Sequence, residues 1–438
     1  MTIAILGFGS QGESAYHYWN TPENDITICD SREDLQVPEG AKTKLGPDYL
    51  KGLAAFDLIV RGAPSIHPRE ITEANPEAPD ILDKVTTATN EFFRVCPSQN
   101  IVGVTGTKGK GTTSTLITRM LDAAEHRVHL GGNIGIPPLD MLSNNIQPED
   151  WVILELANFQ LIDLHYSPHI AVVLMVEPEH QDWHEDLEEY IAAKQQMFIN
   201  QEENDIAIYN ANNENSVSIA DASMGKQIPF MEAPGAYVKD NKIVIDDQVI
   251  CDVDEIKLLG KHNWQNACAA VTAVWQITQN VEAIRETLKT FGGLPFRIEL
   301  RTEKNGIKYY NDSFATAPGA AIAALESIPE PKVMIVGGHD RGLDLTELAH
   351  AFLRHKNDVR KVVLIGASAE RVADTFKKNG FDNFVMNDSK DMNEIVRAAT
   401  DLAEPGDAVV LSPSFASFDM FKNFEDRGNK FNEAIESL

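Results

Sequence analysis

The densest chemical signal in the sequence is Gly106-Thr107-Lys108-Gly109-Lys110-Gly111-Thr112-Thr113, set between an apolar run and an amphipathic one. Glycines at this spacing let successive backbone amides turn inward around a phosphate chain at a helix N-terminus, and Lys110 can reach the β and γ phosphates of ATP. Such loops also use a hydroxyl on magnesium. Gly111 follows the lysine directly, so that hydroxyl falls to Thr112 or Thr113. A second loop, Gly7-x-Gly9-x-x-Gly12 with Asp30 at the end of the next apolar run, has the spacing of a dinucleotide fingerprint. Its glycines fit any pyrophosphate, that of a nicotinamide cofactor or of a nucleotide sugar, and the spacing leaves the two open. A simple dehydrogenase would leave the ATP loop unexplained. Glu155 closes the run WVILEL, and His180 and Asp182 follow HIAVVLMV, which places them at the carboxyl edge of the sheet carrying the ATP loop. Glu155 and His180 are candidate magnesium ligands, although a capping acid and a surface-loop histidine are the plainer readings. Lys194, in EEYIAAKQQMF, reads by itself as a lysine on a helix surface.

Positioning these residues requires several α/β layers. At roughly 150 residues per domain, a chain of 438 residues is expected to form two to four domains. Apolar runs alternating with helix-like segments restart three times: at TIAILGFG, at QNIVGVTGTKGKG, and after Arg297 with KYYNDS, KVMIVGG, KVVLIGA and DAVVLSPS. The expected class is therefore α/β in three domains, residues 1–94, 95–296 and 297–438, with parallel sheets and a hinge at Gly292, Gly293 and Pro295. The β-prone segments DIAIYNA and YVKDNKIVIDDQVICDVDEI are expected to form a small mixed-sheet addition to the middle domain. A net charge of -28 excludes nucleic acid and anionic membrane surfaces as partners of the chain at large, so any polyanion must meet a local basic site. No apolar stretch approaches the roughly 18 residues of a membrane span, and the N-terminus lacks the basic start of a signal peptide, so a cytoplasmic protein is expected. The four cysteines show no paired or metal-ligand spacing and are expected to be reduced core residues.

Taken in order, GFGSQG, ICDSR, GTKGKGTTSTL, GGNIGIPPL, LELANFQL, EHQDWH…EYIAAK, LLGKHNWQNACAAV, GGLPFRIEL, NDSFATAP, VGGHDRG and SPSFASFDMFKNFEDRGNKF resemble the Mur ligase family over essentially the whole chain. That resemblance implies a Rossmann-like domain for a uridine nucleotide, a P-loop domain for ATP and a Rossmann-like C-terminal domain for an amino acid. Carried over by position, Ser10, Gln11, Asp30 and Arg32 would hold the uridine diphosphate and Asn133 the sugar-peptide portion. Lys110, Thr112, Glu155 and His180 would serve ATP and two magnesium ions, and Lys194 would be carbamylated as a further magnesium ligand. Asn266, Arg297 and Asp312 would position the nucleotide, while Thr316, Arg341, Ser417 and Phe424 would surround the incoming amino acid. The implied reaction is ATP-dependent addition of D-glutamate to UDP-N-acetylmuramoyl-L-alanine through an acyl phosphate, in peptidoglycan precursor synthesis. The chain is expected to act as a monomer.

Four segments depart from the family pattern, one of them ELANF at residues 155–159 in place of ELSSF, which is read as a packing change. Phe314 replaces the lysine of a DSKATN-type segment, which removes a cation beside the amino-acid site and keeps L-glutamate open as the alternative substrate. Arg341 stands where lysine occurs and retains a carboxylate partner with a bidentate option. Phe296 replaces a histidine and is read as a packing change.

Overall fold

The computed structural model describes residues 1–62, 66–181 and 183–438, so Asp182 lies outside the described residues. They form two compact units: Met1–Glu255 with Trp264–Lys289, and Ile256–Asn263 with Thr290–Leu438.

In the first unit β1 (Thr2–Leu6), β2 (Asp25–Asp30), β3 (Lys42–Leu45), β4 (Leu58–Arg61) and β5 (Val85–Thr86) make a parallel sheet in the order β3-β2-β1-β4-β5. The order reverses at β1, opening a crevice beyond its carboxyl end, where Gly7–Gly12 lies. A second parallel sheet contains β6 (Ile101–Thr105), β7 (Val128–Gly132), β8 (Trp151–Glu155), β9 (Ile170–Val173), β10 (Ile206–Asn210) and β11 (Lys226–Phe230), ordered β11-β10-β9-β6-β8-β7. Its central strand β6 is buried throughout, as an uninterrupted apolar run flanked by strands on both sides demands. One apolar cluster includes Ile3, Ile28 and Phe92 from the first sheet layer and Leu154, Val173 and Phe198 from the second.

DIAIYNA departs from its expected place. It is β10, paired in parallel with β9 and β11 in the main sheet, because Ala207 and Ile208 find fully buried positions between two strands. The small antiparallel sheet is made of β12 (Tyr237–Lys239), β13 (Lys242–Ile245) and β14 (Gln248–Asp252) alone.

In the second unit β15 (Glu299–Lys304), β16 (Ile307–Asn311), β17 (Lys332–Gly337), β18 (Val359–Ile365), β19 (Phe384–Met386) and β20 (Ala408–Leu411) order as β15-β16-β20-β17-β18-β19. Only the β15–β16 pair is antiparallel. Apolar clusters cover both faces, one around Phe352 and Phe376 and the other around Tyr309 and Phe431. Cys29, Cys96, Cys251 and Cys268 are free and buried, as expected. No described helix is long and apolar enough to cross a membrane.

Candidate active site

The ATP-type loop leaves β6 and enters the helix Lys110–Ala123. Gly106 (φ 146°) and Gly109 (φ 89°) are the residues that make the turn possible. A β-carbon on Gly106 would sit 2.7 Å from Leu174 Cβ, and one on Gly109 would strike the side-chain oxygen of Asn266. Asn266 thus lies against the loop, although it is distant in sequence. Lys110 Nζ donates to the carbonyls of Gly106 and Thr107, both at 3.0 Å, so the loop itself holds its cation. Gly111 is buried, Lys108 is exposed, Thr113 is fully buried and Thr112 is half-buried. Of the two hydroxyls left open by the sequence, that of Thr112 retains access from outside the core.

Lys194 is no surface lysine. The helix Leu187–Ile199 places it one turn beyond Tyr190, and both side chains turn toward the loop. Tyr190 Oη lies 3.0 Å from Thr107 Oγ1, while Lys194 Nζ lies 4.4 Å from the centre of the Tyr190 ring and donates to Gly106 O at 3.3 Å. Burial, reinforced by the charge of Lys110, pushes the Lys194 amine well below the ordinary lysine range. The lowered pKa shifts the balance toward the neutral amine, whose lone pair is the reactive form.

Glu155 ends β8 in register with Val104, one residue short of the end of β6. It is buried, and its Oε1 accepts Asn133 Nδ2–H at 2.8 Å. His180, at φ 58°, rests its ring 4.7 Å from Phe159 and holds Nε2 3.6 Å from Glu179 Oε2. No hydrogen bond among the described residues joins Glu155, Thr112 and His180. The carboxylate of Glu155 and the hydroxyl of Thr112 are oxygen donors of the kind a hard divalent cation takes beside a phosphate-binding loop, whereas the His180 imidazole is a softer donor. Among the described residues the buried Glu155 carboxylate is hydrogen-bonded through Oε1 alone, which fits magnesium in this place.

Geometry also gathers His67, His184 and Glu189, which sequence spacing did not reveal. His67 Nδ1 accepts the Arg69 amide at 3.1 Å, which leaves the ring proton on Nε2, 3.3 Å from Glu189 Oε1. His184 Nε2 faces Asn158 Nδ2 at 2.7 Å, and its Nδ1 faces Glu189 Oε2 at 3.2 Å. Burial lowers the pKa of both histidines; His184 Nδ1–H donates to Glu189, whereas His67 Nε2 lies near the same carboxylate without making a hydrogen bond. A metal would need lone pairs on those same nitrogens, and the cluster is better described as a hydrogen-bonded brace.

At the first loop, a cavity of about 360 Å³ is lined by Gly7, Gly9, Ser10, Gln11, Asp30, Arg32, Tyr49 and Asn133, among others. Gln11 Nε2 donates to Gly132 O at 3.3 Å. Asp30 accepts the Phe8 amide (2.9 Å), the Arg32 amide (3.0 Å) and the Arg32 guanidinium (2.9 and 2.8 Å). The Arg32 hydrogen bonds lead in holding its carboxyl down to about 2. In the nicotinamide reading this acid would have to accept ribose hydroxyls. Here both of its oxygens already serve the backbone and Arg32, so the crevice offers a fixed guanidinium to its ligand. Tyr49 was not singled out by sequence, since nothing in its spacing marks it. Nor was Arg61, whose buried guanidinium binds Asp163 (2.6 and 2.8 Å) and Phe159 O (2.7 Å).

The second unit collects its own group. Asp312 follows β16, where its Oδ2 accepts Ser412 Oγ–H at 2.6 Å and its Oδ1 the Ile298 amide at 3.1 Å. Burial pushes its carboxyl up to about 7. Arg297 lies over the ring of Phe314, which also meets Phe424. Arg341 donates to Thr316 O at 2.7 Å, and Ser417 is buried in the loop after β20. Arg427, which looks like one more charge on an amphipathic helix, is 1% exposed. It donates to Ser313 Oγ and O and to the carbonyls of Phe415 and Ala416, tying the Asp312–Thr316 segment to the Ser417 loop.

A phosphate-type loop on a parallel sheet, with buried Lys194 and half-buried Lys110 at its turn, and a separate α/β unit carrying the exposed Arg341 are the layout of a nucleotide-dependent ligase. Residues 104–274 match the Mur ligase middle domain, and residues 296–415 match the Mur ligase, glutamate ligase domain. The UDP-N-acetylmuramoylalanine–D-glutamate ligase of Clostridium kluyveri is 37% identical over 453 residues, covering 100% of this chain and 96% of its own length. Those of Clostridium tetani and Acetivibrio thermocellus are 33% and 35% identical with the same coverage. Among solved structures, UDP-N-acetylmuramate–alanine ligase MurC from Thermotoga maritima aligns over 100% of this chain and 99% of its own, at TM-score 0.61 and 16% identity. MurF ligase from the same organism, in complex with ADP, aligns over 100% and 95%, at TM-score 0.59 and 17% identity. The chain belongs to the Mur ligase family, and it is an ATP-dependent, amide-forming ligase.

Proposed function

We propose that the protein joins D-glutamate to the terminal carboxylate of UDP-N-acetylmuramoyl-L-alanine, with ATP as the energy source, in peptidoglycan precursor synthesis. The observation that carries the substrates is end-to-end similarity to relatives named for this reaction. The L-glutamate alternative raised by Phe314 is not favoured by those relatives. In this reading residues 1–94 hold the uridine nucleotide, 95–296 the ATP and 297–438 the amino acid. The enzyme works in the cytoplasm as a monomer.

The ATP step rests on the Lys110–Gly106–Lys194 arrangement. Backbone amides at the start of the helix Lys110–Ala123 would cradle the phosphates, and Lys110 would leave its two loop carbonyls for the β and γ oxygens. A carboxylate oxygen of the acceptor attacks the γ-phosphorus as the bond to the β-γ bridging oxygen breaks, releasing ADP. The amine of glutamate then attacks the acyl carbon; phosphate leaves and the nitrogen loses a proton. Glu155, His180, Thr112 and carbamylated Lys194 would hold two magnesium ions, which when bound screen the repulsion between carboxylate and γ-phosphate. The lowered pKa of Lys194 favours carbamylation: the lone pair of its neutral form attacks carbon dioxide, a C–N bond forms and one proton departs. Asn266, Arg297 and Asp312 position the nucleotide. Ser10, Gln11 and the Asp30-fixed Arg32 meet the uridine diphosphate, Asn133 the sugar-peptide, and Thr316, Arg341, Ser417 and Phe424 the glutamate.

The test is ADP formation by the purified chain with each of the three substrates omitted in turn. The proposal requires ADP only when all three are present; ADP formation without the uridine nucleotide would contradict it.

A further inference from the structure

Phe314 is a large apolar residue left 39% exposed. The guanidinium carbon of Arg297 lies 3.8 Å from the ring centre, within the range of a cation–π stack. The Phe424 ring meets the Phe314 ring at 5.0 Å and an interplanar angle of 82°. This edge-to-face contact buttresses the ring. Two hydrogen bonds frame the stack: Phe314 N–H donates to Phe296 O at 3.0 Å, and Ile298 N–H donates to the side-chain Oδ1 of Asp312 at 3.1 Å. They hold Phe296 (φ 62°) and Ile298 (φ 44°), on either side of Arg297, in a backbone region that residues with side chains rarely adopt. Phe296 is seated in turn on Gly428, where a β-carbon would collide with its ring. A strained and doubly tethered turn thus delivers one arginine onto one aromatic face.

We propose that Phe314 is a positioning residue whose ring face fixes the Arg297 guanidinium for the nucleotide. The inference rests on the ligase reading and gives the departure at this position a role in ATP affinity. An aliphatic side chain would still cover the arginine stem but has no π face for its charge.

The test is steady-state kinetics of the full chain, varying ATP with both other substrates saturating, for Phe314→Leu, Phe314→Tyr, Arg297→Met and the Phe314→Leu/Arg297→Met double variant. At a partly exposed site, loss of the stack should raise the KM for ATP roughly twofold to fivefold in Phe314→Leu. The kcat and the KM for the uridine nucleotide should stay near wild type, and the exposed position should leave the melting temperature unchanged. Phe314→Tyr, which keeps the ring, should match wild type. In the Arg297→Met background the Phe314→Leu change should add nothing, because its effect runs through the arginine. A wild-type KM in Phe314→Leu, a Tyr variant as impaired as the Leu variant, or an undiminished effect without Arg297 would each overturn the proposal. A wild-type chain that forms no ADP with all three substrates would instead overturn the ligase reading, and this inference with it.

Discussion

Replacing Asp312 with asparagine should change the pH dependence of stability in the second unit by a predictable amount. The Asp312 carboxyl is buried and carries a raised pKa, from its ordinary 3.8 to about 7. Below about pH 3 it is protonated in both the folded and unfolded chain and contributes almost no difference. As pH rises toward 7 the unfolded chain releases the proton while the folded chain keeps it, so folding loses about 1.4 kcal/mol per pH unit. Above the folded value both states are ionised and the loss levels off at about 4 kcal/mol. Asparagine can keep the Ile298 amide on its oxygen, and the Ser412 hydroxyl can rotate to accept from its nitrogen. Between pH 5 and pH 7 the stability of Asp312→Asn relative to wild type should therefore rise by about 2.3 kcal/mol, or roughly fiftyfold in local opening. All five tryptophans, Trp19, Trp151, Trp183, Trp264 and Trp275, lie in the first unit, so fluorescence would miss the effect. Hydrogen exchange of the β16 and β17 amides, measured by mass spectrometry on both proteins at each pH, reads the correct region. A difference that stays flat from pH 5 to pH 8 would refute the assignment of a raised pKa to Asp312.

Two further outcomes concern the ATP loop. Gly109→Ala should raise the KM for ATP at least tenfold and lower stability by about 1–2 kcal/mol, because φ 89° is strained for alanine and the new carbon displaces Asn266; calorimetric titration should show uridine nucleotide binding unchanged. Lys194→Ala should cripple phosphate release, and added bicarbonate should not restore it; near-normal turnover would remove the carbamate role.

The ATP loop was legible in the sequence because its constraints are local: Gly106 and Gly109 occupy positive φ within one turn, and glycine spacing records that directly. The parallel sheets were legible as apolar runs, each ended by a glycine or a polar loop. Lys194 was not, since its burial depends on a carbonyl 88 residues earlier in the chain and helix periodicity carries no trace of that partner. Arg427 was missed for the same reason, as its acceptors lie in two separate loops. DIAIYNA is β-prone but carries no sign of which sheet it joins, and its place in the main sheet rather than the small addition is decided by its pairing with β9 and β11. The Phe314 departure was visible, but its meaning required Arg297 to be seen on the ring.

The most direct test of the central claim is phosphate release from ATP by the purified chain with UDP-N-acetylmuramoyl-L-alanine and either D-glutamate or L-glutamate, with the uridine product identified by mass. Release with D-glutamate, and a product heavier by one glutamyl residue, is the expected result. Release with L-glutamate alone would contradict it and make the altered loop at Phe314 the element that sets stereochemistry.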